Sequence, residues 1–172
     1  KLEEDKMLAV SLILIGILLR FMPHADNFTP VAAIALFAGA YLKRRHAIIV
    51  PLALMAVSDI FIGVHNVLIF TWGSFVLASF LGLFIRKNKS FLRITGMSLL
   101  SSLVFFIVTN FGVWAMGWYP PTLAGLVNCY IMGLPFLRDF TVSTLLYSAV
   151  FFTAYEVIAR RVKETRLAKV LL

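Results

Sequence analysis

The stretch RFMPHADNFTPVAAIALFAGAYLKRRH, residues 20–46, sets a polar turn, a short greasy run and a basic cluster end to end. Thr29-Pro30 has the makeup of a helix start, a hydroxyl N-cap followed by proline at the first helical position. The apolar run over 29–42 falls short of the roughly 20 residues that a membrane crossing needs, so it predicts a helix that tilts or rests against longer neighbours. His24, Asp26 and Asn27 lie between two hydrophobic segments. Either they cap a tight membrane turn, or they form one wall of a binding site.

Outward from this stretch, the 172 residues are 61% hydrophobic and only 14% charged, with a mean hydropathy of +0.94. Soluble domains carry about 25% charged residues, so this composition predicts an all-α integral membrane protein, with residues 1–172 as one domain. Apolar segments fall at about 7–22, 29–42, 46–63, 67–85, 93–116 and 137–159. Residues 121–136 are apolar at helical spacing but too short to span, which predicts an interfacial or re-entrant helix between the fifth and sixth segments. The stretch from Met7 to Met22 lacks a small-residue cleavage site and is read as a crossing rather than a leader. The single Cys129 excludes an internal disulfide and any multi-cysteine metal site.

The net charge of +8 sits in short clusters between apolar segments, a pattern of bilayer orientation rather than of nucleic-acid binding. With six crossings, the N-terminus, the 43–46 and 86–93 loops and the C-terminal tail share one side and hold 14 of the 16 basic residues. Arg20 and Arg138 remain on the other side. The positive-inside bias then predicts six transmembrane helices with both termini cytoplasmic.

The outer side collects the polar and ring-bearing groups. Besides His24, Asp26 and Asn27 it holds Asp59, His65, Asn66, Asn110, Trp114, Trp118, Tyr119, Cys129, Arg138 and Asp139. Asp59 and Asn110 stand within apolar runs, where a polar group is costly and faces a bundle interior, a partner or water. Arg138 is the expected partner of Asp59 or Asp26. Each group has a plainer role too: His24 and Asp26 as caps, the tryptophans as an interfacial belt, and Ala32, Ala35 and Gly39 as close helix packing. The grouping of so many on one side favours a site.

No histidine pair has metal-ligand spacing, no P-loop is present, and no glycine-framed nucleophile motif occurs, so neither catalytic residues, a metal nor a cofactor is expected. What remains is a small bundle with an outward-facing polar and aromatic pocket for a small-molecule substrate.

Three stretches, RFMPHADNFTPVAAIALFAGAYL, PLALMAVSDIFIGVH and VTNFGVWAMGWYPPTLAGLVNCYIMGLPFLRD, resemble a family of six-helix bacterial inner-membrane proteins that are themselves similar to the S components of energy-coupling-factor (ECF) transporters. That resemblance implies a substrate-binding protein without its own ATPase, toppling in the bilayer against a transmembrane coupling subunit driven by ATPases. It also implies that Ala32, Ala35 and Gly39 form the surface for a partner helix. Solitary cobalamin-transporting S components are distantly similar: His24, Asp59 and Arg138 fall in matching places, whereas Cys129 does not, which speaks against cobalt ligation by cysteine.

The expectation is therefore a transport component that binds a vitamin-like or metal-related solute through His24, Asp26, Asn27, Asp59, Asn110, Trp114, Trp118 and Arg138. The alternative is a non-catalytic structural subunit of a larger membrane complex. An intramembrane enzyme using His24 and Asp59 is the third reading.

Overall fold

The computed structural model describes residues 2–23 and 27–163, with side chains over 6–23 and 27–161. The chain forms six α-helices: α1 (Leu2–Phe21), α2 (Val31–Tyr41), α3 (Arg44–Ile62), α4 (Leu68–Ile85), α5 (Phe91–Ala115) and α6 (Leu123–Lys163). Four of them, α3 to α6, are long and apolar enough to cross a membrane. α1 has 20 residues but opens with LEEDK, and α2 has only 11.

The separate helix expected over 121–136 does not exist. It is the beginning of α6, which runs unbroken for 41 residues through Pro135. Proline removes one ladder hydrogen bond and crowds the preceding turn, a defect that neighbouring helices can offset. The turn before Pro135 is tied to α5: Tyr130 Oη donates to the Ile107 carbonyl at 2.8 Å, and the Cys129 thiol to the Asn110 carbonyl at 3.3 Å. These contacts hold the N-terminal third of α6 against its neighbour.

α2 forms the centre of the bundle. All of its residues from Val31 to Ala40 are buried, as a helix apolar on every face requires. It packs on α4, α3, α6, α5 and α1. Gly39 is the point of closest approach: a Cβ there would lie 2.1 Å from the Ser79 carbonyl oxygen and 2.8 Å from the Gly82 Cα. Small residues let backbones meet where lipid supplies no hydrophobic driving force between helices. Ala32, Ala35 and Gly39 thus pack against the chain's own helices, and a surface for an external partner helix is not where the small-residue spacing suggested. The expected hydroxyl cap is also absent. Pro30 itself is the N-cap residue, without a side-chain cap bond, and Thr29 Oγ1 has no partner among the described residues.

The other end of α2 is well closed. The Arg86 guanidinium donates to the Gly39 carbonyl at 2.9 Å and to the Leu42 carbonyl at 2.5 Å. A cation placed there satisfies orphan carbonyls and complements the helix dipole. Tyr41 donates to Glu156 at 2.6 Å, and Phe37 meets Phe151, Phe152 and Tyr155 edge to face. This end also carries Lys43, Arg44 and Arg45 and the Arg86–Arg93 loop, so we call it the basic pole.

Inside α3, Pro51 has no N–H to give the Ala47 carbonyl, which instead accepts from Ser79 Oγ of α4 at 2.8 Å. Neighbouring hydroxyls commonly repair such a break in apolar surroundings. On the outside, Leu14, Leu18, Leu103, Ile107, Leu146 and Val150 are all exposed, the kind of surface that lipid covers.

Candidate functional site

At the pole opposite the basic one, the bundle is hollow. The C-terminal ends of α1, α3 and α5, the N-terminal ends of α2, α4 and α6, and their connections enclose a cavity of about 550 Å³. Small-molecule sites fall between about 300 and 1,000 Å³ and are mostly apolar with a few placed polar groups. Its wall fits that description. Phe105 stacks on Phe140 with ring centroids 4.0 Å apart, Phe75 lies 5.3 Å from Phe105, and Phe106 and Phe136 continue the ring-lined surface. Stacked and tilted rings of this kind give a large apolar contact area with a defined geometry.

The polar side chains in the wall share a habit. Thr71 Oγ1 donates to the Val67 carbonyl at 3.2 Å, Ser102 Oγ to Ser98 at 3.0 Å, Thr109 Oγ1 to Phe105 at 2.8 Å, and Asn110 Nδ2 to Phe106 at 2.8 Å. Each bonds back to the carbonyl four residues earlier, the usual local solution for these residue types inside a helix. A hydroxyl that gives up its one hydrogen this way keeps only acceptor lone pairs. Thr29, His65, Tyr119 and Cys129 complete the polar lining together with Arg20 and Asn27.

Arg20 belongs to a buried charged cluster behind this wall. Its guanidinium lies 3.0 Å from Asp59 Oδ1 and donates to Ser58 Oγ at 2.7 Å, and Trp72 Nε1 donates to Asp59 Oδ2 at 2.9 Å. Asp59 is 2% exposed. A carboxylate that deep requires a counter-charge and hydrogen bonds, and here both oxygens have them. The partner expected from sequence, Arg138, is elsewhere: its Nε bonds Asp139 at 2.8 Å and its side chain is 75% exposed. α1 and α3 pack directly on each other, and that places Arg20, not Arg138, beside Asp59.

The candidates therefore separate. Asn27 and Asn110 line the cavity, and Asn27 adopts φ 59°, a left-handed turn conformation that asparagine tolerates. Asp59 reaches the cavity only through Arg20. Trp114 and Trp118 instead flank a shallow depression with Pro120 and Pro121, where Trp114 Nε1 donates to the Pro120 carbonyl at 3.0 Å and Trp118 is 66% exposed. A half-buried and an exposed tryptophan at a helix end have the character of an interfacial belt. His24 and Asp26 lie outside the described residues. Sequence reasoning missed Arg20, Thr109 and the ring-lined wall. Arg20 carried a signal: it was one of two cations on its side and stood one helical hairpin from Asp59. The phenylalanines carried none, because the chain has 16 of them and any apolar helix face looks alike.

Among the described residues, no group of three His, Cys, Asp or Glu side chains could hold a metal ion. No curated protein and no solved structure matches the chain. A model of a family of unknown function, DUF6580, matches residues 1–167, and the chain belongs to that family.

Proposed function

We propose that this DUF6580 member is a solute-binding component of a membrane uptake system, similar in kind to the S components of ECF transporters. The observation that carries the reading is the ring-lined cavity of about 550 Å³ at the pole opposite the basic clusters. In this reading six segments cross the cytoplasmic membrane of a bacterium, with both termini inside, because positive residues gather on the cytoplasmic side. α2 completes its crossing as a short helix sheathed by protein, the one setting in which a sub-length segment is tolerated at membrane depth. The cavity then faces outward, where a scarce solute is captured. A coupling subunit with ATPases, where one serves this chain, engages a surface other than Ala32, Ala35 and Gly39, which are interior. Asn27, Asn110, Thr109 and the phenylalanine wall contact the solute, and the Arg20–Asp59 pair fixes α1 to α3 beside it.

Native mass spectrometry of the protein purified from membranes tests this reading. A bound small molecule is expected, and Thr109→Trp, which places an indole in the cavity, should expel it without unfolding the bundle. A stoichiometric protein partner with no small molecule in any preparation would replace this proposal with the structural-subunit reading.

A further inference from the structure

The chemistry of the cavity wall narrows the solute. Four polar side chains on it, Thr71, Ser102, Thr109 and Asn110, each donate a hydrogen to the backbone carbonyl one helical turn earlier. The three hydroxyls have no second hydrogen, so they can only accept from a bound molecule. Among the described residues the Asn110 Oδ1 atom receives nothing stronger than the Cys129 thiol at 3.9 Å, so Asn110 offers another acceptor together with the second N–H of its amide. Ser102, Thr109 and Asn110 stand on the same helix as Phe105 and Phe106, so acceptors and rings occupy one wall. Arg20, a cation in the lining, has its charge balanced by Asp59 at 3.0 Å.

We infer, building on the solute-binding reading, that the natural solute is a ring compound that presents an N–H or O–H donor edge to α5. The rings of Phe105, Phe106 and Phe136 cover its face, and the outward lone pairs of Thr109 and the Asn110 Oδ1 atom receive its hydrogens. A molecule lacking donors leaves the α5 acceptors buried and unsatisfied, and that penalty is the source of selectivity.

Indole and benzofuran have the same shape and differ in one N–H, which makes them suitable probes. Titration calorimetry on the full chain in lipid nanodiscs, with empty nanodiscs subtracted, should give indole a three- to tenfold tighter Kd, about the worth of one net hydrogen bond. The double variant Thr109→Val, Asn110→Leu should bring the ratio close to one, chiefly by tightening benzofuran, because it removes the acceptors that benzofuran leaves unsatisfied while keeping the helix and the approximate volume. Equal affinities in the unmodified protein, or a ratio that survives the double variant, overturn the inference. Binding of neither probe also overturns it. In that event a small molecule still seen by native mass spectrometry keeps the solute-binding reading, and its absence from every preparation removes both.

Discussion

The two ends of α2 lie in opposite environments. Toward the basic pole the helices meet almost backbone to backbone: Gly39 faces Gly82, Phe37 sits among four rings, and Arg86 covers the last carbonyls. Toward the other pole, the same helices surround a void of about 550 Å³ lined by Phe105, Phe106 and Phe140. Both regions are apolar and both are rich in aromatic residues. What differs is the size of the residues at the helix crossings. Glycine at a crossing brings axes together so that rings interlock, whereas a row of phenylalanines on facing helices props them apart. A membrane bundle can thus be solid at one end and hollow at the other without any change in its hydrophobicity.

The largest test of this contrast is a pair of truncations. Phe37→Ala, in the solid half, should cost about 3–5 kcal/mol, the usual range for deleting a buried phenyl. Phe106→Ala, on the cavity wall, should cost less than half as much, because part of its surface already faces space. Unfolding titrations in bicelles measure both, and equal losses would erase the distinction. Next in size is Asp59→Asn, which keeps the shape but removes the charge that Arg20 meets. A hydrogen bond to a charged group contributes about 1.5–3 kcal/mol, so a loss of that order is expected, and a neutral result would show that the ion pair is dispensable. Gly82→Ala should cost about 1–3 kcal/mol, since its Cβ would lie 2.2 Å from the Leu36 carbonyl oxygen and the helices must separate. A melting temperature unmoved by this change would mean that the close approach is not needed. Smallest is Arg86→Gln, expected to cost about 1 kcal/mol through weaker capping of α2. Hydrogen exchange confined to the Gly39–Leu42 turn would locate that loss at the basic pole, and faster exchange at the cavity end would argue against two independent halves.

Much of this architecture was legible before any coordinates. The apolar segments, their approximate limits and the grouping of basic residues follow from composition and spacing; α1 to α5 appear within about five residues of those limits, whereas α6 begins at Leu123, well before the expected 137. The expectation that the 29–42 segment needs longer neighbours holds, as α2 lies fully sheathed. Of the candidate site residues, Asn27 and Asn110 line the cavity, while Trp114, Trp118 and Arg138 face other surroundings. Residues 121–136 read as a separate short helix because they are too short to span alone, but they form the start of α6, which runs in one piece through Pro135.

The division has a physical cause. Helix formation and membrane depth depend on residues within one or two turns, so the sequence alone determined the membrane class, the segments and the charged pole. Pairing depends on which of several equivalent candidates ends up adjacent in space. Only the tertiary structure decided that Asp59 meets Arg20 rather than Arg138, that Ala35 and Gly39 face inward, and that five phenylalanines of sixteen line a void. Those choices belong to contacts between helices far apart along the chain, and no local pattern encodes them.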